Sequence, residues 1–150
     1  MHATGWPGIL MGIAMFVVIW CIALWRTPKG EFSFEPTDGF FEKILVAYLD
    51  IAKFIMGLAA GGIVLIIGSS TLGSARRLPE SYASPLFLLA MSIFYGIVFM
   101  PVLVLNYEAF KHGTSTYSGI RYVRNQTLGF SALTCFCIGY GWLIWAATTG

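Results

Sequence analysis

Four stretches of this 150-residue sequence hold no Asp, Glu, Lys or Arg: residues 1–25, 54–75, 81–107 and 125–150. Each is longer than the roughly 18 apolar residues that mark a candidate bilayer-spanning helix. Their apolar centres cover residues 9–25, 54–72, 85–105 and 128–147, and all nine basic and seven acidic residues fall between those centres. A chain divided in this way has few ways to fold. In lipid every backbone N–H and C=O needs an internal partner, and a helix of about 20 residues supplies those partners while crossing the hydrocarbon. The expected fold is an all-α integral membrane protein. Residues 1–150 would form a single domain of four transmembrane helices with short loops.

Composition agrees with that reading and narrows the function. The chain is 57% apolar and only 11% charged, against about 25% charged residues in an ordinary soluble domain. So little charge cannot cover a globule in water, which excludes an ordinary cytosolic enzyme and a disordered tail. A net charge of +2 is too small for the footprint of a nucleic-acid binder. The first apolar stretch is expected to stay as a helix rather than be cleaved as a signal peptide. Met1–Gly8 carries no Lys or Arg, and Leu24-Trp25-Arg26 stands where a cleavage site needs small residues.

Orientation follows from the Lys/Arg bias of the short loops. Residues 26–43 carry Arg26, Lys29 and Lys43, and residues 106–126 carry Lys111, Arg121 and Arg124. The other side has only Arg76 and Arg77. Loops 26–43 and 106–126 are therefore expected in the cytoplasm and both termini outside, with the Arg76-Arg77 pair as the counter-signal. Trp6, Trp25, Tyr48, Tyr107, Tyr122, Trp142 and Trp145 lie near the span ends, where amphipathic rings favour the headgroup level. Glu31-Phe32-Ser33-Phe34-Glu35 alternates polar and apolar residues, so it reads as an interfacial segment or a short edge strand. Thr37 or Asp38 is placed to cap an extension of the second helix that begins near Phe40.

The second span carries the most information. At 100° per residue, Asp50, Lys53, Gly57, Gly61, Val64 and Gly68 fall within an arc of about 80°. Gly57 and Gly61 form a GxxxG, the spacing that lets two helix backbones approach closely in lipid. Ala60 and Ser69 widen the small surface, and Leu58, Leu65 and Leu72 stand opposite. Two uses fit this face: packing inside the chain, or a contact between subunits that lines a pore. Asp50 and Lys53 read either as an intrahelical ion pair near the headgroups or as a charged ring at a channel mouth.

The run Tyr48-Leu49-Asp50-Ile51-Ala52-Lys53-Phe54, followed by the small residues and Ile63-Val64-Leu65, resembles small bacterial four-span inner-membrane proteins of unsettled function. The likeness covers about 25 residues around the second helix. It implies a bacterial inner-membrane protein, sometimes of the stress-response or phage-defence effector kind, and it supplies no catalytic residues.

The remaining spans read mainly as packing surfaces. Gly8 and Gly12 repeat the GxxxG spacing, Ser92 and Gly96 continue it in the third span, and Gly129, Ala132, Cys135 and Gly139 lie on one side of the fourth. Thr127, Ser131 and Thr134 offer hydroxyls to the backbone or to a neighbouring helix. Cys135 and Cys137 point to opposite sides of one helix and with Cys21 make no metal pattern. Pro101 marks a kink or gate, because a proline within a span frees a carbonyl that must be satisfied again. Asn106 and Glu108 could bond the third loop or line a vestibule. Lys111, Arg121 and Arg124 read as a contact for anionic lipid or a soluble partner. Asn125-Gln126-Thr127 matches a glycosylation sequon, but it abuts the fourth span.

No activity on a substrate is expected. The only histidines, His2 and His112, lie outside the spans, and neither HExxH nor a Ser–His or Ser–Lys arrangement is present. No metal or cofactor is implied. Two classes survive: a homo-oligomeric ion channel or membrane-permeabilising effector packed through the second helix, and an accessory or structural subunit of a larger membrane complex. The expected partners are the lipid bilayer, further copies of the chain or other membrane subunits, and not nucleic acid.

Overall fold

The structure, a computed structural model, describes residues 6–27, 31–32, 40–72, 80–112 and 117–149. Four helices dominate it: α1 (Trp6–Arg26), α2 (Phe40–Leu72), α3 (Ala83–Lys111) and α4 (Gly119–Thr149). Each contains a stretch long and apolar enough to cross a membrane, as the charge-free stretches predict. A short 3-10 turn, Glu80–Tyr82, leads into α3. Two short strands, β1 (Glu31–Phe32) and β2 (Tyr117–Ser118), pair antiparallel, with Glu31 opposite Ser118 and Phe32 opposite Tyr117. Part of the alternating segment therefore forms an edge strand. The ladder fastens the connection after α1 to the connection after α3 at one end of the bundle.

Local chemistry sets several helix ends. At the close of α1, Thr27 donates from both its backbone N–H (3.0 Å) and its Oγ1 (2.6 Å) to the Ala23 carbonyl. Those bonds satisfy an orphan carbonyl where the helix stops. Arg26 and Lys111 lie in the last turns of α1 and α3, where positive charge suits the helix dipole. Pro85 sits in the first turn of α3, where its missing N–H costs no helical bond. The α2 helix begins at Phe40, as expected. Helix α4 begins at Gly119, ahead of the apolar centre read from sequence. A helix satisfies its own backbone wherever it lies, so it runs on into the polar flank that carries Arg121 and Arg124. The capping pair Thr37 and Asp38, the Arg76-Arg77 hairpin, Lys29 and His2 lie outside the described residues.

Helices α3 and α4 form the central pair, with α1 and α2 each packed against both. The best apolar windows of α3 and α4 are 39% buried, those of α1 and α2 only 17%. The flanking helices thus present most of their surface outward. Leu45, Ala52, Leu88, Tyr95, Phe99, Leu103, Leu128, Ala132 and Cys135 form the core.

Glycine positions govern the close contacts. A Cβ on Gly8 would meet the Ser84 carbonyl oxygen and lie 3.0 Å from its Cα. On Gly12 it would lie 3.3 Å from Met91 Cγ, on Gly96 2.8 Å from Met56 Cγ, and on Gly139 3.0 Å from Leu88 Cβ. The glycines read as packing residues in the first, third and fourth spans are used in that way.

Candidate functional site: the outward face of α2

The buried side of α2 is Leu45, Ala52, Ile55 and Ala59. At 100° per residue these positions centre roughly 160° away from the stripe of Asp50, Lys53, Gly57, Gly61, Val64 and Gly68. The stripe therefore turns away from the rest of the bundle. A Cβ added at Gly57, Gly61 or Gly68 would meet nothing within 4 Å, and Val64 is 68% exposed. Among the described residues, none packs against the glycines of this face. Gly62, just outside the stripe, faces the bundle instead, where a Cβ would lie 3.7 Å from Leu89 Cδ1 and 3.8 Å from a Tyr140 ring carbon. Leu58 and Leu65, read as the opposite, lipid-compatible side, lie only about 80–100° from the centre of the stripe and are exposed with it; the side opposite the stripe is the buried one.

Asp50 and Lys53 begin the stripe. Lys53 Nζ lies 3.5 Å from Asp50 Oδ1, and the two side chains are 64% and 65% exposed. At that exposure an i,i+3 pair contributes about 0.2–0.5 kcal/mol. The charges hold each other without being fixed by neighbours. From Phe54 to Leu72 the helix carries no charge. At 1.5 Å per residue that stretch is about 28 Å long, close to the hydrocarbon thickness of a bilayer. Tyr48 precedes Lys53 by five residues and is exposed, as is Trp25 at 88%, on the helix end that the β1–β2 ladder ties to this side.

The other sequence candidates separate. Pro101 lies within a continuous α3 and faces outward, so the position expected to mark a gate is on the surface of the bundle. Glu108 is exposed. Asn106 is buried and bonded: its Nδ2 donates to Asn125 Oδ1 at 2.9 Å, and its Oδ1 accepts from Arg124 Nη2 at 3.1 Å. It ties α3 to the first turns of α4. The sequon Asn125-Gln126-Thr127 is helical, with Asn125 and Thr127 buried and Thr127 Oγ1 donating to the Val123 carbonyl at 2.8 Å. Lys111 stands with its Nζ 5.9 Å from the centroid of the Tyr107 ring.

For three interior residues, Ser92, Tyr95 and Asn125, the sequence does not show the bonding partner. Ser92 Oγ donates across helices to the Ala132 carbonyl at 2.7 Å. Tyr95 donates its hydroxyl to the Gly12 carbonyl at 3.2 Å and stacks on Phe16 at 5.5 Å between ring centroids. Asn125 had been read only as part of a sequon. Periodicity shows which face a hydroxyl or amide occupies, but the acceptor lies on another helix. Ser131 Oγ is buried without a hydrogen-bond partner. Cys135 is buried, whereas Cys21 and Cys137 are exposed, as the opposed placement of Cys135 and Cys137 requires.

Comparison with family models, with characterised proteins and with solved structures returns no match for this chain.

Proposed function

We propose that the chain inserts in a membrane through its four helices and assembles with copies of itself through the outward face of α2, forming a narrow ion channel or membrane-permeabilising assembly. The supporting observation is the contrast among the glycines. Gly8, Gly12, Gly96 and Gly139 each admit a neighbouring helix so closely that a Cβ would lie within 3.3 Å of it, while Gly57 and Gly61 face open space. Glycine weakens a helix by about 1 kcal/mol relative to alanine. Two at GxxxG spacing on an outward face are accounted for by a backbone that approaches from another molecule.

The interior of a single chain favours a route between copies. Leu88 and Leu89 are fully buried, and a Cβ at Gly139 would lie only 3.0 Å from Leu88 Cβ and 3.2 Å from Leu89 N. A permeant ion would have to break that contact. In the assembly Asp50 and Lys53 stand where the uncharged stretch of α2 begins, as rings of opposite charge at the mouth. The end of α2 that carries them faces the cytoplasm in this reading, together with residues 26–43 and 106–126, and the membrane is a bacterial inner membrane.

The test is the mass of the purified chain in detergent, with and without Gly61→Leu. A closed homo-oligomer that Gly61→Leu reduces to single chains supports the reading. A single chain in both samples sinks it. Purification only together with unrelated subunits would show instead an accessory subunit of a larger complex.

A further inference from the structure

The two connections tied by the β1–β2 ladder differ in charge. Residues 26–43 carry Arg26, Lys29 and Lys43 against Glu31, Glu35, Asp38 and Glu42, whereas residues 106–126 carry Lys111, Arg121 and Arg124 against Glu108 alone. The first connection sums to −1 and the second to +2. We propose that the α3–α4 end, through Lys111, Arg121 and Arg124, is a contact surface for anionic phospholipid headgroups.

Geometry holds these groups close to the helices. Arg124 Nη2 is anchored on Asn106 Oδ1 at 3.1 Å, and Asn106 is itself bonded to Asn125. A guanidinium has five N–H donors, and this anchor uses one of them while Arg124 stays exposed. Lys111 Nζ lies 5.9 Å from the Tyr107 ring centroid. Lys111 thus stands beside Tyr107, and Tyr122 follows Arg121 in the chain, rings that favour the headgroup layer. Arg121 and Arg124 also occupy the first turns of α4, which contain no acidic residue, so they add positive charge to the positive end of a helix dipole.

The ligand has an apolar part as well. Leu105 on α3 and Ile120 on α4, neighbours of these groups along each helix, are among the exposed large hydrophobic residues. Phosphate next to outward apolar surface fits a phospholipid better than a free anion. The inference rests on the membrane insertion proposed above and not on the assembly.

The experiment uses the full chain in a neutral detergent, titrated with phosphatidylglycerol, phosphatidylcholine or inorganic phosphate, with lipid retention read by native mass spectrometry. Phosphatidylglycerol is expected to be retained over phosphatidylcholine, inorganic phosphate to compete weakly, and high salt to reduce the preference. Each basic residue removed is expected to lower the preference about fivefold. The variant Lys111→Gln/Arg121→Gln leaves the Arg124–Asn106 bond in place, and adding Arg124→Gln should bring the two lipids level. Equal retention of both lipids by the unaltered chain overturns the proposal, as does a preference that survives all three substitutions. Full displacement by inorganic phosphate overturns it too, in favour of a free-anion site. A chain that purifies without detergent would remove the insertion on which this rests, whereas a single-chain mass would touch only the assembly.

Discussion

At the scale of single residues, what distinguishes the glycines of this chain is what stands opposite each of them. Gly139 lies against Leu88 and the Leu89 backbone, where an added Cβ would sit only 3.0 Å from Leu88 Cβ and 3.2 Å from Leu89 N. Neither neighbour is the free end of a flexible side chain, so a larger residue must push α3 and α4 apart. Gly139→Leu is expected to destabilise the chain by about 1–3 kcal/mol, the usual cost of overpacking. Gly57→Leu meets open space and removes a weak helix former, so it should change the stability of the single chain by less than about 0.5 kcal/mol. Melting both variants in dilute detergent checks the contrast, and equal losses would contradict it. In sequence the two glycines look alike, each in an apolar helix with small residues nearby. What separates them is the neighbour, which the spacing along one helix does not specify. Asn106 shows the same limit. Its polarity near a span end was legible, but its bond to Asn125, nineteen residues later, exists only because α3 and α4 run antiparallel at contact distance.

At the scale of elements, the number and extent of the helices were legible because the bilayer-length rule acts on each stretch separately. Residues 54–72 carry no charge and need no partner to be read as helix. Which side of α2 packs was not legible in the same way. Its hydrophobic residues surround the helix, so periodicity offers no contrast, and the glycine stripe left open whether its small residues or others face inward. In the structure Leu45, Ala52, Ile55 and Ala59 do so instead. The β1–β2 ladder gives a direct check on how the connections meet. Glu31 pairs with Ser118, and residues opposed in an antiparallel ladder lie about 4.5–5.5 Å apart at Cα, within reach of a disulfide. In a chain with Cys21, Cys135 and Cys137 replaced by Ala, Glu31→Cys/Ser118→Cys is expected to form an intramolecular disulfide under mild oxidant, seen as a mobility shift reversed by reductant. A control pair, Glu31→Cys with Thr149→Cys at the far end of α4, should stay reduced. If both pairs form with equal yield, the two connections do not share one end.

At the scale of the whole molecule, the decisive property is how little room the interior leaves. Apart from Ser84 near the start of α3, the buried polar side chains cluster toward one end and the middle: Asn106, Asn125, Thr127, Ser131 and Ser92. Beyond them Leu88, Leu89 and Gly139 close against one another. An ion crossing within one chain would have to shed its hydration at that apolar contact with few groups to replace it, which costs several kcal/mol or more. Permeation in the proposed assembly therefore runs between copies, and that has a kinetic consequence. If each pore needs several chains, then while assembly is incomplete the ion flux of proteoliposomes must rise more steeply than the first power of the protein-to-lipid ratio. It should become linear only once assembly saturates. Gly61→Leu, which obstructs the approach of a second backbone, is expected to move the steep region to higher protein density. Asp50→Asn acts differently: it removes one sign of charge at the mouth and leaves the glycine contact intact. Its effect should appear as a changed flux or cation preference at saturation, with the density dependence in place. A flux strictly proportional to protein at every ratio would place the route within single chains and overturn the assembly reading. If the two variants instead shifted the same parameter, the division of labour along α2 would fail, although the assembly itself would stand.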